Sequence, residues 1–406
     1  MQLSLERIEV LLLIAAVVAM LARRLRLPYT IGLTLAGAAL AFAPVSVEVR
    51  LTKDLIFNAF LPPLIFEAAL HMEWRALRRE APVVLVLATL GVLVAGGIMA
   101  AGLHHLAAWP WAPAIIFGLL ISATDPVSVI ATFKEAGVTG RFRLLVESES
   151  LLNDGTVAVL YGVALAATAG GTATVGGITG SFLLTVVGGI ICGGLVGGAV
   201  LLLAGRTEDH LVEITFSTIA AYGSFFLAEH FHVSGVLATL TAGVLIGNTA
   251  SLGAFSKRGR DAVVWFWEYA GFVANSLIFL LIGLRMVTQD ILSVIPLAAL
   301  VVFLLLLGRA VAVYGCCGLF AGSGRRVSAP HQHLLFWGGL RGALALALAL
   351  GLPADFPKHD TIVSVAFAVV AFSVIVQGLT ITPLLKGLGV MPKDSGVKKP
   401  AADLDR

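Results

Sequence analysis

Ser122-Ala123-Thr124-Asp125-Pro126, with Glu149-Ser150-Leu151-Leu152-Asn153-Asp154 shortly after it, decides how this chain is read. Both stretches lie in segments otherwise apolar enough to cross a bilayer. An ionisable side chain at the centre of a membrane helix costs about 2.5–3.5 kcal/mol even on the mildest scale. Asp125, Glu147, Glu149 and Asp154 therefore require a reason to be there. The turn between the two segments lies near residues 134–143, and Asp125 and Asp154 flank its centre almost symmetrically. At about 1.5 Å of rise per residue, two antiparallel helices place both carboxylates roughly 20 Å from the loop, close to mid-membrane. A pair of acids at that depth predicts a cation or proton site.

The rest of the chain supports a membrane setting. Of 406 residues, 58% are hydrophobic and 13% charged, with a mean hydropathy of +0.97, where a soluble domain carries about 25% charged residues. The composition predicts an all-α polytopic membrane protein in contact with a lipid bilayer, because an open sheet leaves backbone groups unsatisfied in lipid. Nothing points to nucleic acid as a partner. The three cysteines, Cys192, Cys316 and Cys317, lie in apolar segments without metal-ligand spacing and read as small packing residues. No cofactor is implied, and the absence of a Gly-x4-Gly-Lys-Ser/Thr sequence argues against ATP-driven transport. Ile8–Ala22 runs into Arg23-Arg24 without a small-residue cleavage motif, so it reads as a span rather than a signal.

Hydropathy predicts thirteen helical spans, at 7–22, 30–44, 52–71, 81–103, 112–133, 142–168, 176–204, 210–229, 233–249, 261–285, 291–321, 331–352 and 360–385. Loops assigned alternately to two sides carry twenty basic residues against five, with Arg309 and Arg341 left inside spans. The positive-inside rule then puts the C-terminus in the cytoplasm and the N-terminus outside. Trp109 and Trp111 at one interface, and Trp265 and Trp267 at the other, suit aromatic belts. His71, His104, His105, His230 and His232 fall near span ends and read as interfacial.

Two triplets of spans, 81–168 and 291–385, look alike. Each has a middle span interrupted by helix breakers, Asp125-Pro126 in one and Gly338-Gly339…Gly342 in the other. The second triplet starts on the opposite side, so the pair predicts an inverted repeat with two broken, crossing helices. The expected division is scaffold over 1–80 and 170–290, ion-translocating core over 81–169 and 291–389, and a short cytoplasmic tail over 390–406. Within the scaffold, Gly189, Gly193 and Gly197, with Gly194 and Gly198 offset, offer small faces for either an internal or an oligomeric contact.

The donor chemistry fits a small cation. Pro126 frees carbonyls near Ser122 from their helical partners, and these join the Thr124 hydroxyl as hard oxygen ligands. Ser150 and Asp154 are i and i+4 on one helix face, and Glu149 and Asn153 form the adjacent pair. Asp125 is either a ligand or the neutraliser of a broken helix end. A buried guanidinium needs a partner. Glu149 is the candidate for Arg309, whereas Arg341 is expected to face the carbonyl ends of its own broken helix. Glu67, behind Pro62-Pro63, either lines a cytoplasmic funnel or reaches the interface.

Ile121-Ser-Ala-Thr-Asp-Pro-Val-Ser-Val, Glu149-Ser-Leu-Leu-Asn-Asp, Gly308-Arg309-Ala and Gly338-Gly-Leu-Arg-Gly-Ala, in this order, strongly resemble the monovalent cation/proton antiporters. The match is to the branch holding NhaP-type and eukaryotic sodium/proton exchangers, and it covers about residues 55 to 385. The resemblance implies a homodimer whose six-helix core moves against a dimerisation scaffold. It implies that Asp154 binds the ion (Na+ or Li+) and the proton, with Thr124, Asp125 and Ser150 around it. Asn153 would support Asp154, Glu149 would pair with Arg309, and Glu67 resembles an acid that some prokaryotic members place near the ion. Glu147 receives no role. The short tail departs from the eukaryotic exchangers and favours a prokaryotic member in the cell (inner) membrane. A K+/H+ antiporter of the same fold is the alternative, since oxygen ligands alone do not separate the two ions. A cation channel fits broken helices less well, and an aspartyl protease would need a Gly-x-Gly-Asp context that neither aspartate has.

Overall fold

The computed structural model describes residues 5–25, 28–42, 51–125, 129, 130, 133, 138, 140–168, 175–248 and 255–390. Among these there is no strand, and fourteen helices have defined ends. In chain order they are α1 (Leu5–Leu25), α2 (Tyr29–Leu40), α3 (Leu55–Leu70), α4 (Trp74–Ala107), α5 (Trp111–Leu120), α6 (Arg141–Thr168) and α7 (Val175–Ala204). Then follow α8 (His210–His230), α9 (Gly235–Asn248), α10 (Lys257–Val287), α11 (Ile291–Gly318), α12 (Ala329–Trp337), α13 (Ala343–Leu350) and α14 (His359–Gly387). Seven of the helices are long and apolar enough to cross a membrane. The chain is a multi-pass membrane protein, and its helices accommodate the thirteen expected spans, with α12 and α13 as the two halves of 331–352.

Several helices overrun the apolar segments that announce them. α4 starts at Trp74 rather than 81, and α10 at Lys257 rather than 261. Hydropathy marks only the lipid-facing part, whereas a helix continues until its backbone finds another partner. Side-chain caps fix such ends: Asp209 accepts from Leu211 N–H, Ser256 from Gly259 N–H and Asp290 from Ser293 N–H. Each cap is worth about 1 kcal/mol. Among the described residues α2 is 12 residues long, about 18 Å, shorter than the expected span of 30–44.

The helices pack as two groups. α4, α5, α6, α11, α12, α13 and α14 contact mainly one another, with α4 packed on α5, α6 and α11. α2 lies along α10, and α9 lies between α3, α7 and α8. The groups meet where α6 touches α7 and α9, where α13 touches α3 and α10, and where α14 touches α2 and α10. One glycine face of α7 is internal. A Cβ at Gly193 would come 2.2 Å from the Ala238 carbonyl oxygen, and Gly189 and Gly197 also lie on α9, whereas Gly194 and Gly198 meet nothing.

The aromatic belts need correction. Trp265 and Trp111 are exposed, but Trp267 and Trp109 are buried. Trp267 packs on Phe66 and donates from Nε1 to Ser217 Oγ at 2.9 Å. Residues two apart on a helix point about 200° apart, so Trp265 and Trp267 could not share one face. Cys192, Cys316 and Cys317 are free and buried.

Candidate functional site

Past Leu120 the backbone turns back on α5 once more and then leaves it. Ser122 Oγ donates to Gly118 O at 2.7 Å, and the Asp125 N–H donates to Leu340 O at 2.7 Å. That second bond joins the two interruptions, since Leu340 belongs to the irregular stretch between α12 and α13. Helical residues recur at 129, 130 and 133. Pro126, the expected cause of the break, lies outside the described residues, as do residues 391–406 of the tail.

The crossing is close enough to require a glycine. A Cβ on Gly342, which caps the N-terminus of α13, would lie 2.4 Å from Asp125 Cβ. The Asp125 carboxylate is therefore held at the positive end of α13, where a negative charge is favoured. The other interruption carries the opposite charge at the opposite kind of end. Arg341 Nη1 donates to Gly339 O at 2.6 Å, just past the C-terminus of α12, and its N–H donates to Ser373 Oγ at 2.9 Å.

α6 brings its polar face against this crossing. Asn153 Nδ2 donates to Ser122 O and to Thr124 Oγ1, each at 3.2 Å, and Thr124 Oγ1 donates to Ser150 Oγ at 3.2 Å. Ser150, Asn153, Asp154 and Thr124 are all buried. Among the described residues, Asp154 Oδ1 and Asn153 Oδ1 have no hydrogen-bond partner. Such an oxygen costs about 1–3 kcal/mol unless something else satisfies it. Thr124, Asp125 and Asp154 line a cavity of about 350 Å³ whose other wall comes from α2, α3 and α10.

Glu149, one face away, forms a two-pronged pair with Arg309 of α11. Nη1 lies 2.7 Å from Oε1 and Nη2 lies 3.1 Å from Oε2, while Nη2 also reaches Leu335 O at 3.0 Å. Both residues are buried, and the guanidinium lies against Gly339. Glu147, for which the sequence offered no role, pairs with Arg143 at 2.5 Å on its own helix.

Glu67 also lines the cavity, about a third exposed. His71, read as merely interfacial, sits between two acids, with Nδ1 3.8 Å from Glu67 Oε1 and Nε2 3.7 Å from Glu268 Oε1. Sequence reasoning missed Glu268, Tyr29 and Asn275. Asn275 Nδ2 donates to the Tyr29 hydroxyl, and both face the cavity opposite Asp125. A polar residue mid-helix in α10 was the available signal for Asn275. Tyr29, at a helix start, gave none.

Two interrupted helices crossing beside a buried, incompletely satisfied carboxylate, in a membrane-spanning bundle, belong to a secondary transporter rather than an enzyme. The chain is a member of the sodium/hydrogen exchanger family: the family model described as "Sodium/hydrogen exchanger, transmembrane" matches residues 11–387. It is 35% identical over 398 residues to the low-affinity Na(+)/H(+) antiporter NhaS1 of Synechocystis, covering 96% of this chain and 75% of that one. It is likewise 35% identical to the Na(+)/H(+) antiporter NhaH of Halobacillus dabanensis, covering 95% and 98% of the two chains. The fold matches that of the sodium proton antiporter MjNhaP1 from Methanocaldococcus jannaschii with a TM-score of 0.73 at 20% identity, over 94% and 98% of the chains.

Proposed function

We propose that this protein exchanges sodium for protons across a cell membrane, with Asp154 as the carboxylate for which the two compete. The observation that carries the proposal is the buried Asp154 Oδ1, without a partner among the described residues, on the wall of a cavity. A proton or a desolvated cation each supplies the missing partner, and one carboxylate oxygen accepts either. Thr124, Ser150 and Asp125 stand as oxygen ligands, and Asn153 holds Thr124 in place. Glu149 with Arg309, and Arg341 at its helix end, are structural. The relatives named above as Na(+)/H(+) antiporters support sodium as the ion. Lithium should follow sodium.

The core comprises residues 81–169 and 291–389, and the scaffold 1–80 and 170–290. Alternating access consists of the first moving against the second, and a homodimer is the expected assembly. With the C-terminus in the cytoplasm, the cavity holding Asp154 lies on the route past Glu67 and Glu268, near the cytoplasmic ends of α3 and α10. The conformation is then inward-facing, in an inner membrane.

Purified protein in liposomes, given an outward or inward gradient of sodium, lithium or potassium, tests the proposal through internal pH. Sodium-driven proton movement that requires both ions is the expected result. Potassium-driven movement of equal or greater size would make the protein a K+/H+ antiporter, and sodium flux without counter-movement of protons would make it a channel.

A further inference from the structure

A helix that stops inside a bilayer leaves backbone groups that lipid does not satisfy. Between α12 and α13 such groups find partners within the protein. Leu334 O accepts from Gly338 N–H at 2.8 Å, and Leu335 O from Arg309 Nη2 at 3.0 Å. Gly338 O accepts from Leu340 N–H at 2.8 Å. The Trp337 carbonyl, last of α12, and the Arg341 N–H, just before α13, take theirs from α14. Gln377 Nε2 donates to Trp337 O at 3.2 Å, and Ser373 Oγ accepts from Arg341 N–H at 2.9 Å. The Ser373 hydroxyl in turn donates to Gln377 Oε1, which fixes which way round the amide lies. Ser373 and Gln377 are both buried, at the two ends of a π-helical turn in α14. Such turns recur at functional sites.

One peptide group carries this arrangement to the ion site. The N–H that Ser373 holds and the Leu340 carbonyl belong to the same amide, between Leu340 and Arg341. That carbonyl accepts from Asp125 N–H at 2.7 Å. A trans amide is planar, with its N–H and C=O pointing in opposite directions, so α14 grips one edge and Asp125 the other. A rotation of the plane therefore moves Asp125, because no soft torsion lies within the plane to absorb it. α6 treats the first interruption in the same manner, since Asn153 donates to Ser122 O and Thr124 Oγ1.

We propose that Ser373 and Gln377 are positioning residues for the cation site, acting on Asp125 through the Leu340–Arg341 amide. They are the counterpart on α14 of Asn153 on α6. Neither lines the cavity of Asp154, so each acts only through the backbone it holds. Loss of either lets the amide rotate, and Asp125 leaves its register with Thr124 while Asp154 keeps its place. Sodium binding then weakens, and the rate at saturating sodium is kept.

The inference rests on the exchange function proposed above, so sodium-driven proton movement by the unaltered protein in liposomes is measured first. Its absence would end that reading and this one together. Gln377→Met keeps the length of the side chain and removes both of its hydrogen bonds. It should raise the apparent KM for sodium about three- to tenfold, the usual worth of one net hydrogen bond, with the maximal rate within about twofold of native. Thr380→Val is the control. Thr380 Oγ1 accepts from Trp337 Nε1 at 2.8 Å, and so ties the same two helices without touching the interrupted backbone. Its KM should match the native value. Gln377→Glu is the second variant. As a neutral acid it keeps an O–H for Trp337 O and a carbonyl oxygen for Ser373, whereas ionised it has no donor. The ratio of its KM to the native KM should be near one at low pH and climb as the pH rises. A folded Gln377→Met protein with native KM, or one whose maximal rate alone falls, would overturn the positioning role. So would a raised Gln377→Glu ratio that ignores pH, or a ratio that falls as pH rises, where the added charge acts by attraction alone. Equal losses in Thr380→Val would reduce Gln377 to a fastening between α12 and α14.

Discussion

The two helix interruptions are built alike and furnished oppositely. Just after α5 the irregular backbone at 123–125 carries Thr124 and Asp125, whereas between α12 and α13 it carries glycines and Arg341. Each charged side chain lies at a helix end of opposite sign: Asp125 at the N-terminus of α13, Arg341 just past the C-terminus of α12. One interruption thus offers oxygens to a ligand, and the other supplies the space and the positive charge that let the first approach. Similar backbone architecture in two places need not give two ion sites, and the assignment proposed above has only one. The side chains decide which half does chemistry and which half holds it.

The comparison breaks most visibly at Asp154, which α6 presents to the first interruption only. Asp154→Asn should abolish sodium-driven proton movement in liposomes while the variant elutes from size exclusion as the native protein does. An amide of the same shape keeps the packing but takes up no proton in the working range. Proton-coupled exchange by a well-folded Asp154→Asn variant would falsify the assignment.

The next effect is on stability. Glu149 is on the helix that serves the first interruption, and Arg309 rests on Gly339 of the second, so their pair fastens one half to the other. Removing one member of a buried pair strands the other charge at a cost of about 3–5 kcal/mol. Glu149→Ala and Arg309→Ala should each lower the melting temperature in detergent substantially. The double variant should lose less than the two losses summed, and strict additivity would deny the coupling.

Much of this arrangement was legible before any coordinates. Asp125, Asp154 and Arg309 stand out because a charge inside an apolar span has so few innocent explanations, and the Gly338–Gly342 run stands out because it separates α12 from α13. What stayed hidden has a common cause. Tyr29, Asn275 and Glu268 face the site from helices far away in sequence, and no local pattern says which helix will lie opposite. Trp267 was misplaced for a related reason, since a tryptophan near a span end reads as a belt residue until its face is known. The helical extensions at Trp74 and Lys257 were invisible to hydropathy, which registers lipid contact rather than backbone bonding.

A milder change sharpens the contrast between the two interruptions. Gly342→Ala introduces a Cβ within 2.4 Å of Asp125 Cβ, an atom fixed to its own backbone and unable to swing away. Overpacking of this kind costs about 1–3 kcal/mol. The melting temperature should fall less than for Arg309→Ala, while the apparent KM for sodium rises because Asp125 is pushed out of register with Thr124. An unchanged KM would leave Asp125 as the partner of a helix end and nothing more.

The smallest expected effect is none at all, and it concerns voltage. The residue before Asp154 is Asn153, which does not ionise and is occupied with Ser122 O and Thr124 Oγ1. Glu149 is engaged by Arg309, and Asp125 is held at the positive end of α13. On the proposed assignment Asp154 alone is left to trade its proton for a monovalent cation, so the loaded site would carry the same net charge in both directions. Exchange is then expected to be one for one, with the membrane potential doing no work on the cycle. Liposomes clamped with valinomycin and potassium gradients should show the same rate at every imposed potential, once potassium itself has been shown not to be carried. The same competition predicts that each unit drop in pH, below the range where Asp154 is ionised, raises the apparent KM for sodium about tenfold, because one proton displaces one cation. A rate that follows the clamp, or a reversal point fitting two protons per sodium ion, would mean that a second acid releases its proton in the cycle. Asp125 would be the first to examine, because the α13 end that holds it would then have to release it each time the core moves.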